Sequence, residues 1–548
     1  MKNQYAIIWI LILLLSACTQ TTPPAPTLTP SPQPSHTPLP SAAPTLSPSN
    51  TPTPLPRTLT ICMGAQPETL DIYQGNMLTM QNTLSAIYDG PIDILSYHYQ
   101  PAILEKIPSL ADGDAVLQPV TVQENDRVIV DSGDVFPLSI GQVIRPYGCF
   151  QPECAVVWDG SPVQMAQMVV TFRLREGLKW SDGEPLTAAD SVFSFHAASS
   201  SLKPEDQTFL LRTASYVALD DRTVQWTGIA GFTDPDYQDN FFSPLPAHLA
   251  NSQPAGKSSE SATSTFIPLG WGAYAITEYK VDRSIQLTRS PYYFRAAEGL
   301  PYFDQVIYRF FGQDPAAGLQ AIQNGECDIL DQEAAQLVWG KELFDLEAAG
   351  KIKVHLAAGP VWEHADFNLR PLPGAGFAGW DGDGLGPFGE ARLRQAVVLC
   401  IDRQAMVDAI YFGHAPLMDS YLPPEHPLHA PGLSAWQFNP AAAAVLLDEI
   451  GWLDTDGDPV TPRLAQGVTG VPDGTPLAFS YETTTAAERQ QTAQIFAASL
   501  AQCGIKVNLV FYPAEEWFAA GPEGKMFGRR FDMAQFAWMT GVQPGCNL

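Results

Sequence analysis

Positive charge is scarce in this chain. Its 30 Lys and Arg stand against 58 Asp and Glu, for a net charge of −28 over 548 residues. A nucleic-acid partner needs a basic face to meet its phosphates, so that class is excluded. The acidity reads first as a solubility device; a field that attracts cations is the alternative. Signatures of catalysis are also missing: there is no Gly-x-Ser-x-Gly, no His-Glu-x-x-His and no Walker loop. Carboxylate pairs are plentiful in so acidic a chain and single none out. No enzymatic activity and no cofactor are expected. Nor does the apolar run at 6–15 reach the roughly 20 residues that a membrane-spanning helix needs.

That short run sits behind Lys2 and ends in Leu15-Ser16-Ala17-Cys18. A positive start, a brief apolar core and a small-residue exit describe a secretory signal peptide over 1–17. A cysteine directly after Leu-Ser-Ala resembles the lipobox of bacterial lipoproteins, which implies cleavage before Cys18 and its lipidation. The alternative is an ordinary signal peptide with an incidental cysteine. Residues 18–56 follow as a linker of Pro, Thr and Ser without Lys, Arg, Asp or Glu. Such a stretch buries no apolar surface, and proline holds it extended. At about 3.1 Å per residue it reaches on the order of 100 Å, enough to hold a folded body away from a membrane.

With Cys18 set aside, seven cysteines remain: Cys62, Cys149, Cys154, Cys327, Cys400, Cys503 and Cys546. Cys149 and Cys154 lie close enough in sequence to close a small disulfide loop in an oxidising compartment. The odd count leaves one thiol either free or paired outside this sequence.

The folded body reads as alternating strands and helices. Residues 59–62 form a strand, followed by an amphipathic helix ending near Tyr88. Residues 101–154 are strands and turns, 165–174 a strand, and Trp180-Ser181-Asp182-Gly183 a tight turn. Thr187-Ala188-Ala189-Asp190 opens a helix in the manner of a capping box. Pro315 and Gly325 bracket another helix, and Asn439-Pro440 caps one that Gly451 stops. A strand at 477–482, a capping box at Thr485–Glu488, a helix to Gly504 and a strand at 506–512 make a βαβ unit, hence parallel strands with helices on the sheet.

Three motifs fail on context. Gly374-Ala375-Gly376-Phe377-Ala378-Gly379 spells a dinucleotide fingerprint, but Pro371 and Pro373 precede it and no helix N-terminus follows. Asp454-Thr455-Asp456-Gly457-Asp458 misplaces the glycine of a calcium loop and reads as a solvated turn. His426 and His429 flank Pro427 with no third ligand in view, which reads as a loop and leaves no metal site.

Several stretches closely resemble the extracytoplasmic solute-binding proteins of peptide- and nickel-type ABC transporters. The strongest runs from Phe172 through Trp180-Ser181-Asp182-Gly183 to Phe195. Others are Gly272-Ala273-Tyr274, Arg289 to Tyr293, Ile322 to Leu330, Ala365 to Leu369, Arg392 to Ala396, Ile401 to Arg403, Asn439 to Trp452, and Phe531 to Trp538. They occur in the family's order. The resemblance implies an α/β, two-lobed periplasmic-binding-protein-like fold (type II). Lobe I would span 57–311 with an extra subdomain at about 101–230, and lobe II 312–548. Family members continue further, so the resemblance also implies a second lobe left incomplete at its C-terminal end, short by about a hundred residues. Oligopeptide binders follow the tryptophan matching Trp538 with Cys-Ala-Asp, whose acid takes the peptide's α-amino group. Here Met539-Thr540-Gly541 stands in that place.

The expected function is a lipid-anchored, extracytoplasmic receptor, monomeric, that hands a peptide or other amphipathic solute to an ABC transporter permease. Expected wall residues are Tyr73, Trp362, Asn368 and Trp538, each of which also suits a core position. The alternative is a ligand-sensing lipoprotein of the same fold that feeds a signalling partner. An exported hydrolase is disfavoured by the missing motifs.

Overall fold

Thr58–Met63, rich in β-formers, is hydrogen-bonded on both sides in parallel, to Gln305–Phe310 and to Ile329–Leu330. The computed structural model describes residues 56–544 apart from 74–76, 202–207, 251–266, 313, 371–384, 434–435 and 523. Cys18, the signal and linker segments, the glycine run at 374–379 and Cys546 lie outside the described residues.

Tyr274–Lys280 and Ser284–Arg289 complete this first sheet as an antiparallel hairpin beside Gln305–Phe310. Leu78–Ile87 is the helix expected to end near Tyr88. Gly270 and Gly272 press on it so closely that a Cβ at either would collide with the Ile87 carbonyl group, and Gly272 N–H donates to Ile87 O at 2.7 Å. Here glycine is required by close approach.

A second sheet, all antiparallel, is ordered Thr213–Asp220, Thr223–Gly228, Val163–Arg173, Ala115–Val122. Its inward side chains Met168, Val170, Phe172 and Trp226 share one core with Ile285, Leu287 and Val306 of the first sheet. The two sheets therefore make one lobe. Trp180 N–H bonds Glu184 O and Gly183 takes φ +97°, which closes the expected tight turn. At Thr187 the Asp190 carboxylate accepts from both the Thr187 N–H and hydroxyl, and so reaches back to the helix start. Val122 and Val163 are register partners, so residues 123–162 are an excursion between two paired strands. That excursion has its own small core of Val128, Leu138, Ile144 and Trp158, and it carries a Cys149–Cys154 disulfide.

Past the border expected at 311/312 the chain returns to the first sheet. Ile329–Leu330 pairs with Ile61 and Cys62, and a Cys62–Cys327 disulfide fixes it there. Leu319, Val338 and Leu343 pack around Leu330, so the helices Gln332–Leu337 and Lys341–Ala348 also belong with the first lobe. A strand of two residues carries too little periodicity to show in sequence.

The third sheet is ordered Val361–Phe367, Met533–Met539, Ala478–Thr484, Lys506–Tyr512; the last three are parallel and the first antiparallel. The βαβ unit is present, with Ala487–Ala501 as its crossover helix. The capping box read at Thr485 does not form: Ala486 is the N-cap and no side chain caps it. One face buries Phe479, Tyr481 and Met533 against Leu393, Leu447, Phe496 and Leu500, and a Cys400–Cys503 disulfide ties two elements of that core. Arg463, buried beside it, pairs with Asp448 at 2.5 Å and donates to the Cys503 and Trp452 carbonyls. The other face packs Ala534 and Phe536 against Trp517, Met526 and Phe531. Asp454 and Asp456 turn their carboxylates onto nearby backbone N–H groups, as a solvated turn does.

Candidate functional site

In open α/β sheets, ligands bind outside the carboxyl ends of the parallel strands. Tyr481 is register partner of Met533, which sets Thr484 level with Phe536. Ala537, Trp538 and Met539 therefore run past the end of their parallel neighbour, paired on the other side with Glu363, Trp362 and Val361. The result is a two-stranded tongue at the carboxyl edge. Trp362 faces Trp538 across it, and His364 faces Phe536. Trp538 is 42% exposed, and Val361 and Met539 are more so.

Residues 421–429 lie over this tongue. Thr540 Oγ1 donates to Tyr421 O at 2.9 Å, and the Tyr421 ring stands 6.4 Å from Trp362. His426 is buried; its Nδ1 accepts from Leu428 N–H at 3.1 Å, so Nε2 carries the proton and donates to Gly541 O at 3.2 Å. His429 Nδ1 donates to Leu422 O. Both histidines thus hold a loop, and among the described residues no group of three or more His, Cys, Asp or Glu could hold a metal ion. From the first lobe, the hairpin Ile92–Leu95/His98–Pro101 brings Tyr97 to 4.7 Å from the His426 ring. Its turn residues Ser96 and Tyr97 both have positive φ, 48° and 60°, where hairpins ordinarily use Asn-Gly.

At the edge an arginine and a glutamate are paired, while Glu425 of the overlying loop is exposed. Arg489, in the first turn of the crossover helix, donates to Glu363 Oε1 through Nε and Nη2 at 3.0 and 2.7 Å and to Thr484 through Nη1. Gln535 Nε2 adds a 3.4 Å bond to Glu363. His364 lies between Trp362, 4.5 Å away, and Phe536, 4.3 Å away, with Nε2 3.5 Å from Asp366 Oδ1. Burial pushes the imidazole pKa down against the pull of Asp366 and Glu363, and burial pushes Asp366 up. Deeper in the sheet, Glu482 accepts from Ser480 Oγ at 2.7 Å and Tyr512 OH at 3.0 Å, and its burial raises its pKa. At Gly541 an added Cβ would meet only Gln543 O at 4.0 Å, so the position has room for a side chain.

Of the four residues expected as wall, the structure brings Trp362 and Trp538 together. Asn368 is 7% exposed, and its Nδ2 donates to the Arg529 and Phe531 carbonyls, which clasps the chain entering the last strand. The Tyr73 hydroxyl donates to Ser243 O at 2.6 Å and its ring stacks on Phe242, inside an aromatic cluster of the first lobe. Tyr97, Tyr421, His426 and His364 were not expected. The positive-φ turn and the long-range register that place them leave no mark in local periodicity.

The family model for bacterial extracellular solute-binding proteins, family 5 (Middle) matches residues 161–548. The chain belongs to this family. A protein of Brucella ovis named as an ABC transporter peptide-binding protein is 27% identical over 302 residues, 54% of this chain and 51% of its own length. The oligopeptide-binding protein AppA of Bacillus subtilis is 24% identical over 382 residues, 68% of this chain and 63% of its own. The chain thus spans about half to two thirds of the length of these family 5 relatives. A periplasmic oligopeptide-binding protein of Thermotoga maritima superposes with a TM-score of 0.55 at 16% identity, covering 89% of this chain and 78% of that one. The fold is that of the type II periplasmic binding proteins. The family match opens just where the 123–162 excursion closes.

Proposed function

We propose that this family 5 protein is an extracytoplasmic receptor that captures a peptide or another amphipathic solute and delivers it to the permease of an ABC transporter. Cys18 would hold it at the membrane through a lipid, with the Pro/Thr/Ser segment as tether. The observation that carries the reading is the Trp362–Trp538 tongue at the carboxyl edge of the third sheet, with first-lobe Tyr97 reaching its overlying loop. An aromatic wall with few fixed polar groups is the usual make-up of a solute site, and contact from both lobes at its rim suits closure around cargo. The peptide-binding names of the Brucella and Bacillus relatives support a peptide-like cargo. The test is native mass spectrometry of the purified protein, followed by calorimetry with the released solute on wild type and Trp538→Ala. A co-purifying solute whose affinity drops at least ten-fold in the variant supports the reading. A solute bound equally by both places the site elsewhere.

A further inference from the structure

Two nitrogen atoms on the tongue are buried without a hydrogen-bond partner: Trp362 Nε1 and His364 Nδ1. They sit on neighbouring side chains of one strand face, with ring centres 4.5 Å apart. Buried polar atoms are nearly always paired, and an orphan asks for an explanation. These two are complementary. The indole N–H can only donate. His364 Nε2 lies 3.5 Å from the Asp366 carboxylate, which favours the tautomer with its proton on Nε2 and leaves Nδ1 as an acceptor.

We infer that Trp362 Nε1 and His364 Nδ1 form a donor–acceptor pair that receives one hydroxyl group of the cargo. The indole N–H donates to the hydroxyl oxygen, and the hydroxyl proton goes to the imidazole. A carboxylate has no proton for Nδ1, and an ammonium has no lone pair for the indole. A hydroxyl is the smallest group that satisfies both. Exposed Trp538, opposite Trp362 in register, offers an apolar face beside it. Tyr421 is the ring over Trp362, and its loop meets the first lobe through His426 and Tyr97, so displacement of that loop opens the pair to cargo. The hydroxyl has two possible sources, a saccharide or a hydroxylated peptide side chain. This inference rests on the carboxyl edge being the cargo site.

The experiment is calorimetry on the full chain with cellotetraose, xylotetraose, and the blocked tripeptides N-acetyl-Ala-Ser-Ala-amide and N-acetyl-Ala-Ala-Ala-amide. The same titrations are run on Trp362→Phe and on His364→Phe, which keeps a ring between Trp362 and Phe536. The expected result is binding of at least one hydroxyl-bearing probe. Each variant should weaken it at least ten-fold more than it weakens the all-alanine peptide. Binding confined to the sugars names a saccharide; a Ser-over-Ala preference of ten-fold or more names a peptide hydroxyl. That preference is read on wild type alone, so it holds even if a variant misfolds. Equal affinity for the Ser and Ala peptides with no sugar binding overturns the inference and leaves the cargo-site reading standing. So do variants that change only thermal stability, the outcome expected of a buried water between the two nitrogens. If no probe binds and no solute co-purifies, both readings fall.

Discussion

Gly541→Asp is the most direct probe of what this site selects. By the sequence resemblance, Gly541 is expected to stand where oligopeptide binders carry the acid that meets a peptide's α-amino group. An added Cβ there meets nothing nearer than Gln543 O at 4.0 Å, so an aspartate enters without displacing backbone. The bond from His426 Nε2 to the Gly541 carbonyl uses main chain and survives the change. A hydrogen bond to a charged partner contributes about 1.5–3 kcal/mol net, roughly ten- to a hundred-fold in affinity. The wild-type chain should therefore bind a peptide and its N-acetylated twin within a few-fold of each other. Gly541→Asp should prefer the free-amino peptide by about ten-fold or more, and the preference should shrink as salt rises. Isothermal titration calorimetry with the two peptides on both proteins reads this out. If acetylation abolishes tight binding to wild type, another acid holds the ammonium and the reasoning is wrong. A variant that gains no preference would show that Gly541 lies away from the ligand's end.

Four further outcomes are expected. Cys18→Ala should move the protein from the membrane pellet to the soluble fraction; unchanged pelleting refutes the anchor. Under non-reducing conditions, peptide mapping should recover Cys149 with Cys154 and Cys400 with Cys503. Replacing Cys400 and Cys503 by Ser opens a loop with a sequence separation of 103 and should cost about 4–5 kcal/mol by the chain-entropy argument, with a lower melting temperature. Glu482 has its carboxyl raised above its ordinary 4.5, chiefly by burial, so the folded chain holds a proton there that the unfolded chain has released. Stability should then fall as pH rises from 4.5 through the raised folded value, and Glu482→Gln should flatten that slope in a melting-temperature series from pH 4 to 8.

Local chemistry made the second lobe's framework legible. Asn439 does cap its helix, accepting from Ala442 N–H, and Pro440 does start it. The βαβ unit followed from a strand, a helix and a strand in sequence. What stayed hidden depends on distant pairing. Trp362 and Trp538 were each expected as wall, but that they face one another is set by a register between strands far apart in sequence. Asn368 was expected as a wall residue that also suits a core position; only the fold shows its amide bonded to the Arg529 and Phe531 carbonyls. The Thr485 box failed because the crossover helix starts one residue later, at an N-cap Ala486, while Thr485 N–H is taken by Tyr512 O.

These placements bear on how an acidic protein chooses its cargo. A net charge of −28 invites the view that cations are selected by attraction. The carboxyl edge argues otherwise. Its arginine, Arg489, donates through Nε and Nη2 to one oxygen of Glu363, so these two charges are paired with each other. His364 is driven toward its neutral form by burial, and Gly541 supplies no acid. Beside them the edge carries aromatic surface from Trp362, Trp538 and Tyr421, with Glu425 exposed on the overlying loop and Asp366 half-exposed next to His364. The global field acts over distances that physiological salt cuts to about 8 Å, so it affects the rate of encounter more than the choice of ligand. Discrimination then rests on stacking and on pairing neutral hydrogen-bonding groups. A buried site of that kind rejects an analogue lacking the matching group far more strongly than one that differs by a methylene.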